Sequence, residues 1–163
     1  ELLLTGSGIP ASGPALQSFV PKAGVTYFLR ASTYDPEATG DYTLKLATTT
    51  TLAAGGSKNG QLQSTDGLDP YWSPDFAYYS DDYLLTGAAA GVSRTITVSS
   101  TAINSTLELL DAATGQSLDY ADDPNIPEAD SVITFTPAAG RSYLLRVSSY
   151  DEEETGNYTI RSN

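Results

Sequence analysis

The sequence contains no cysteine, no histidine and no methionine. Without Cys or His the chain cannot build a Ser-His-Asp triad, a thiolate nucleophile or a zinc site with Cys or His ligands. Without Cys and Met it also has no easily oxidised side chain, which suits an exposed position outside the cell. Because a start Met is missing too, we expect a processed product or a piece of a longer secreted protein.

Basic residues are scarce, and long apolar runs are absent. The 163 residues include 8 basic and 20 acidic side chains, a net charge of −12, which argues against nucleic acid as a partner. No run of 18 apolar residues occurs, so we expect no membrane span. Most of the charge falls in residues 52–163. Solubility explains it, and so does cation binding by loop carboxylates; the composition leaves both open.

One segment of the sequence occurs twice. Shifted by 116 positions, residues 19–43 match residues 135–159 at 15 of 25 positions. This internal repeat predicts a partial unit over 1–50 and a complete unit over 51–163. Tyr27 aligns with Tyr143 and Tyr42 with Tyr158, so we expect the members of each pair to occupy equivalent buried places.

The complete unit shows the period of two that is typical of half-buried strands. Apolar residues alternate in "YLLRVS" (143–148), "TITVS" (95–99) and "VITFT" (132–136), with further strands expected at 76–85, 106–110 and around 158–160. Turns rich in Gly, Pro, Asp and Asn separate them, and no helical period is convincing. The pattern predicts an all-β, antiparallel β-sandwich. The polar stretch 47–60 is expected to be a linker or an irregular first strand.

The partial repeat raises the question of what covers its apolar residues. Four strands are predicted there, at Leu2–Leu4, Leu16–Val20, Thr26–Ser32 and Asp41–Leu46. Four strands cannot bury their own apolar faces, and open sheet edges pair readily with other chains. Upstream residues, the complete unit of the same chain or a neighbouring chain could each complete them.

The order of motifs in residues 60–162 resembles a known family. "GQLQSTD", "DFAYYSDDYLLTGAAAG", "SRTITVSS", "STLELLDAATGQSLDYADD" and "SVITFTPAAGRSYLLRVSSYDEEETGNYTI" follow one another as in the bacterial pre-peptidase C-terminal domain. The resemblance implies a jelly-roll-like β-sandwich in a secreted or cell-surface protein, often beside peptidases and other hydrolases. It also implies a non-catalytic domain, and some members of the family bind calcium or matrix polymers such as collagen.

Two acidic loops are candidates for a calcium site. "LDYADD" supplies Asp122 and Asp123, and "SYDEEETG" supplies Asp151 and, less firmly, Glu152. Calcium takes six to eight oxygen ligands, and two loops at one end of a sandwich could provide several of them. The alternative is a pair of solvated acidic turns that keep the protein soluble.

An aromatic-rich loop is a candidate for ligand binding. "DPYWSPDF" places Tyr71 and Trp72 between Pro70 and Pro74. Exposed Trp and Tyr rings stack on sugars and form protein interfaces. The alternative is that these rings pack against the edge of the core.

The sequence therefore leaves two alternative functions. Enzymatic activity is disfavoured because His and Cys are missing. The first is a structural extracellular protein that associates with copies of itself, into a surface filament, through the partial repeat. The second is a calcium-stabilised accessory module of a secreted hydrolase that binds polysaccharide or protein matrix.

Overall fold

A computed structural model describes residues 24–33, 35–44, 49–69, 78–122 and 130–163. The predicted strands Leu2–Leu4 and Leu16–Val20 lie outside these residues. Within them the chain is all-β, as the alternating pattern predicts, and no helix could span a membrane. The strands are β1 (Thr50–Ala53), β2 (Ser57–Leu62), β3 (Gly67–Leu68), β4 (Tyr79–Thr86), β5 (Arg94–Ser99), β6 (Ser105–Asp111), β7 (Ser117–Asp122), β8 (Ser131–Phe135), β9 (Tyr143–Ser149) and β10 (Gly156–Ser162).

Two sheets pack face to face and form a sandwich. The larger sheet has the order β1-β4-β9-β6-β7, with β3 also paired to β4, and the smaller sheet has the order β2-β10-β5-β8. All pairs are antiparallel except β1 with β4, which run parallel. Most connections cross from one sheet to the other, so β9 and β10 are each central in a different sheet.

Of the two alternatives for the polar stretch 47–60, a linker or a first strand, its described residues show strands. Thr50–Ala53 and Ser57–Leu62 are regular strands at the edges of the two sheets. Leu52 and Leu62 are fully buried and anchor these strands, although their neighbours are mostly polar and exposed. One buried leucine per strand is too weak a periodic signal to predict them from sequence.

The core lies between the sheets and follows the predicted alternation. Its central side chains are completely or almost completely buried: Leu52, Leu62, Ile96, Val98, Leu107, Ile133, Leu145, Val147 and Ile160. The predicted inward positions on β5, β8, β9 and β10 are therefore confirmed. Burial of each large side chain contributes roughly 1.5–3 kcal/mol.

The central strands of the larger sheet differ from the half-buried pattern, because β6 and β9 are buried along their whole length on both faces. On the face turned away from the smaller sheet, Leu144 packs with Leu110 and Ala112. Arg146 lies on the same face and is only 6% exposed.

A buried chain of hydroxyls links the two sheets through the core. The Tyr158 hydroxyl on β10 donates to the Asp81 carboxylate on β4 at 2.5 Å and lies 2.6 Å from the Tyr83 hydroxyl. Gly60 on β2 makes room for this contact, since a Cβ there would lie 2.2 Å from the Tyr158 ring. Burial is the main cause that raises the pKa of Asp81 above its ordinary value.

The partial repeat does not take the same form as its second copy. Residues 24–33 and 35–44 contain no strand, and all of them are exposed. The expectation of equivalent burial is wrong: Tyr27 is 38% and Tyr42 75% exposed, whereas Tyr143 is 5% and Tyr158 3% exposed. The difference lies in strand pairing: β9 and β10 each pair with a strand on both sides, whereas Tyr27 and Tyr42 lie in segments that form no strand among the described residues.

Antiparallel pairing sends alternate loops to opposite ends of the sandwich. One end, here called the acidic end, is where β2, β5, β7 and β9 finish and where β4, β6, β8 and β10 begin. The described residues of the loops at this end are 63–66, Asp69 and Tyr78, 100–104, Asp130, and 150–155. The opposite end carries the loops 54–56, 87–93, 112–116 and 136–142.

Candidate functional site

The sandwich brings the roots of all the predicted site loops to the acidic end. Asp122 closes β7 opposite Thr106, next to the first residues of β6. Ser149 is the last residue of β9 and pairs with Ser105, the first residue of β6. Asp151 follows in the loop after β9. Asp122 and Asp151 therefore lie at the same end of the larger sheet, at the end of β7 and after β9, with β6 between these two strands. Asp123 lies outside the described residues.

Side-chain hydrogen bonds fix the loop 150–155. The Glu154 carboxylate accepts from the backbone N–H of Asn104 at 2.9 Å and from the Ser149 hydroxyl. The Asn104 amide donates to the Asp151 carboxylate at 3.3 Å, and the Tyr150 N–H donates to the Asn104 carbonyl at 2.8 Å. Glu154 thus acts as a structural acceptor, while Glu152 and Glu153 remain exposed.

The fit of this end to a cation depends on the free oxygens that remain. Asn104 is 5% exposed, and its Oδ1 has no hydrogen-bond partner among the described residues, although its Nδ2 reaches Asp151. A buried acceptor beside a carboxylate is a suitable oxygen for calcium. Within the described ranges no group of three or more His, Cys, Asp or Glu side chains is placed to hold a metal ion.

Tyrosine rings stand among these carboxylates. Burial, together with the charges of Glu152 and Asp151, raises the pKa of Tyr78. Burial and the charge of Asp122 raise the pKa of Tyr120 well above its ordinary value. Tyr120 is 37% exposed, so part of its ring faces solvent. Carboxylates and half-exposed aromatic rings are thus mixed at this end.

The loop that carries Tyr71 and Trp72 is rooted at the acidic end as well. Asp69 N–H donates to the Tyr78 carbonyl at 2.7 Å, which closes the loop between β3 and β4. Tyr71 and Trp72 themselves lie outside the described residues.

Arg146 is a residue whose role the sequence reasoning missed. Its guanidinium donates to Asp82 through two hydrogen bonds of 2.9 and 3.2 Å, and it lies 3.7 Å from both Asp69 and Glu108. Asp69 is the last described residue before the loop that carries Trp72, so Arg146 contacts the start of that loop. The repeat contains a signal for it, because Arg30 aligns with Arg146.

A polar, open groove adjoins the acidic end on the smaller sheet. Its lining includes side chains that can both donate and accept hydrogen bonds: Asn59, Ser99, Ser100, Asn157 and Thr159, with Asp130 at its border. Such groups suit a hydroxylated ligand.

Comparison with known proteins returns structural likeness only. No protein-family model matches the chain, and no curated protein matches it. It is similar to the pre-peptidase C-terminal domain of a Bacillus anthracis collagenase, with 18% identity, a TM-score of 0.49, and coverage of 74% of this chain and 100% of that one. It is also similar to PliG, a periplasmic inhibitor of g-type lysozyme from Aeromonas hydrophila, with 13% identity, a TM-score of 0.39, and coverage of 70% and 96%. The first is the family that the motifs of residues 60–162 resemble.

Proposed function

We propose that the chain is a non-catalytic binding module of a secreted or cell-surface protein, with the acidic end as its binding face. The observation that carries this proposal is that loops 100–104 and 150–155, and the described ends of two further loops, meet at one end of the sandwich. Those ends are Asp69 and Tyr78 for one loop, and Asp122 and Asp130 for the other. Loops on a rigid scaffold commonly carry binding function. The absence of His and Cys from the sequence disfavours most nucleophilic and acid–base chemistry.

Calcium is the proposed cation at this face. Asp122, Asp123 and Asp151 would supply carboxylate oxygens, Asn104 its buried Oδ1, and Glu152 a further carboxylate from the exposed turn. Bound calcium would neutralise part of the charge and hold two loops in one arrangement. A ligand that binds only the folded form at a hundredfold excess over Kd stabilises it by about 2.7 kcal/mol.

The test is thermal unfolding in chelator and in calcium. We expect the Tm of the full chain to rise with calcium, with a much smaller response to magnesium, and we expect Asp151→Asn to abolish the calcium response. Asp35→Asn is the matched control, because Asp35 aligns with Asp151 in the partial repeat but has no second acidic loop beside it. An equal Tm of the wild type in chelator and in calcium would remove the calcium site.

Extracellular polysaccharide or protein matrix is the proposed ligand of the aromatic loop. Trp72 is the single tryptophan in the chain, so its fluorescence reports on that loop alone. We expect titration with soluble fragments of chitin, cellulose or collagen to change the emission for one of these classes. Trp72→Ala should lose retention on the same insoluble polymer, whereas Phe28→Ala should retain it. No emission change with any class would count against a matrix ligand.

A second candidate is self-association through the partial repeat, into a dimer or a surface filament. The observation that favours it is exposure of apolar side chains in residues 24–44: Phe28 is 93%, Leu44 61% and Val25 52% exposed. Exposed apolar surface of this kind marks interaction sites.

Sedimentation at rising protein concentration tests this second candidate. We expect the wild type to form larger species and Phe28→Asp with Leu44→Asp to remain monomeric. Thr39→Asp with Thr43→Asp adds the same charge to the same exposed segment and serves as the control. If the wild type and both variants sediment alike, the partial repeat does not mediate association.

A further inference from the structure

The edge strands of the two sheets differ in how they are protected against pairing with other chains. An open edge presents unpaired backbone N–H and C=O groups, and proteins guard it with charges, bulges or very short strands. In the smaller sheet, Lys58 on β2 lies opposite the buried Ile160, so this edge carries a charge at a core-facing position. In the larger sheet, β7 carries Asp119 and Asp122 and pairs with β6 through a register shift, while β1 and β3 have only four and two residues.

The other edge of the smaller sheet, β8, has none of these protective features. Its sequence, Ser-Val-Ile-Thr-Phe, contains no charge, no Gly and no Pro, and it is rich in residues that favour strands. Among the described strands, only β5 pairs with it. The Ser131 hydroxyl donates to the Ser105 carbonyl on β6 at 2.6 Å, and Ile133 is 2% exposed, so β8 is held firmly against the core. Its edge is therefore preformed for a further strand.

The pairing of β5 shows which backbone groups of β8 point away from the sheet. Thr95 and Asn163 exchange both of their backbone hydrogen bonds, so Thr95 directs its N–H and C=O groups toward β10. These directions alternate along an antiparallel strand, so the even-numbered residues of β5 direct theirs toward β8. They pair with the odd-numbered residues of β8. The N–H and C=O groups of Val132 and Thr134 consequently point to the open side, and the side chains of both residues are exposed.

We propose that two copies of the chain pair through β8, antiparallel about a two-fold axis at Ile133, so that their smaller sheets join into one. Val132 of each copy then lies opposite Thr134 of the other, and each such pair exchanges two backbone hydrogen bonds. In this register Asp130 lies opposite Thr136, so no like charges meet in the contact although each chain carries a net charge of −12. This self-complementarity is the reason for naming a second copy as the partner.

The contact is closed and small. Because it is two-fold symmetric and occupies both β8 edges, it ends at a dimer and does not continue as a filament. A single strand pair gives an interface below about 1,200 Å², which is the range of weak association. No residue of the partial repeat takes part, so the inference is independent of self-association through that segment.

Sedimentation of the full chain from about 10 µM to about 1 mM tests the proposal, because a weak dimer forms only at high concentration. We expect a dimer in the wild type and equally in Phe28→Asp with Leu44→Asp, since those residues lie outside the contact. Self-association through the partial repeat predicts a monomer for that variant, so the variant separates the two proposals. A wild type that stays monomeric over the whole range, or a variant that loses the dimer, overturns the pairing through β8.

Edge variants identify the strand. Val132→Lys with Thr134→Lys should weaken the association constant at least tenfold, because lysines on an edge oppose pairing. Ser57→Lys with Gln61→Lys adds the same charge to β2, the other edge of the same sheet, and should dimerise as the wild type does. Circular dichroism verifies folding. If the first variant does not fold, Val132→Pro should show the same loss, since it removes an N–H that makes no bond to β5. A folded β8 variant that dimerises as the wild type does refutes the contact.

Single cysteines test the register, because the chain has no cysteine of its own. Opposite residues of a hydrogen-bonded pair have Cα atoms about 5.5 Å apart, which suits a disulfide. Under mild oxidation, a mixture of Val132→Cys and Thr134→Cys should form a linked dimer at least tenfold faster than either protein alone. A mixture of Ser57→Cys and Gln61→Cys is the control and should show no such gain. Equal rates for the β8 mixture and its separate components would overturn the proposed pairing.

Discussion

Tyr158 links the two sheets at the scale of a single residue. Its hydroxyl reaches from β10 to Asp81 and Tyr83 on β4, so one side chain both fills the core and satisfies buried polar groups. The repeat keeps a tyrosine at the aligned position, Tyr42, where the ring is exposed and makes none of these contacts. The same residue type thus has a structural role in one copy that it lacks in the other.

We expect Tyr158→Phe to lower the free energy of unfolding by about 1–3 kcal/mol, because Asp81 and Tyr83 lose a buried hydrogen-bond partner. Tyr42→Phe is the matched control and should change it by less than about 0.5 kcal/mol, since Tyr42 is exposed. Urea unfolding of the three proteins measures the difference. Equal losses in both variants would mean that the hydroxyl chain contributes nothing.

The carboxylates around Arg146 should differ in their contributions. Asp82 holds the guanidinium through two hydrogen bonds, whereas Glu108 approaches only to 3.7 Å. Burial, with the charge of Asp69 adding to it, raises the pKa of Glu108 above its ordinary value. We therefore expect Asp82→Asn to cost about 1–3 kcal/mol and Glu108→Gln to cost clearly less at neutral pH. Chemical unfolding near pH 7 checks this order, which a larger cost for Glu108→Gln would contradict.

At the scale of elements, the sequence predicts strands where apolar residues alternate and fails where they do not. β5, β8, β9 and β10 could be predicted because one face of each meets the core. For β1 and β2 the sequence alone does not decide between a linker and a strand, since a single buried leucine in each leaves no period to detect. The sequence also does not predict that β6 and β9 are buried on both faces. Contacts such as that of Arg146 with Glu108 depend on the order of strands in the sheet, not on the spacing of residues along the chain.

The candidate site, like the strands, could be predicted from the sequence only in part. The sequence predicts Asp122 and Asp151 in loops. In the structure Asp122 ends β7 and Asp151 follows β9, and pairing through β6 brings both to one end of the sandwich. The sequence does not identify Asn104, because its role depends on contacts with Asp151 and Glu154 that form only in the folded structure.

The turn between β6 and β7 shows how one carboxylate fixes an element. Asp111 Oδ1 accepts from the N–H groups of Ala113 and Thr114, and Oδ2 accepts from Arg141 Nε at 2.5 Å. Burial alone would raise the pKa of Asp111, but these donors and the charge of Arg141 lower it below its usual 3.8. The carboxylate therefore joins the turn to the loop before β9.

We expect Asp111→Ala to cost about 1–3 kcal/mol at neutral pH, because several donors lose their acceptor. A carboxyl with a depressed pKa contributes stability above its unfolded pKa and loses it as pH falls through the folded value. The difference between wild type and Asp111→Ala should thus shrink below about pH 4. Arg141→Gln should cost less, since the backbone donors remain. Unfolding curves at several pH values measure both effects; a difference that grows on acidification would refute the assignment.

At the scale of the whole molecule, acidic side chains gather at one end of the sandwich, and further carboxylates lie within it. The unit over 51–163 carries most of the net charge of −12, and many of its described acidic side chains lie at the acidic end. Inside, Asp81 and Glu108 both have pKa values raised chiefly by burial. Both features predict that the folded protein is more stable at moderately acidic pH than at neutral pH.

The sign follows from proton linkage. A carboxyl with a raised folded pKa binds its proton more tightly in the folded state, so its contribution is fully present below the unfolded pKa and is lost as pH rises through the folded value. We therefore expect the Tm, measured in chelator, to increase from about pH 7.5 to about pH 5.5. Each kcal/mol gained corresponds to about 2–4 °C in a chain of this size. The variant with Asp81→Asn and Glu108→Gln should show a flatter profile, because neither amide titrates, while Asp119→Asn on the exposed strand β7 should keep the wild-type slope. A wild-type Tm that falls over this range would mean that buried carboxylates are outweighed by ion pairs such as that of Arg146 with Asp82.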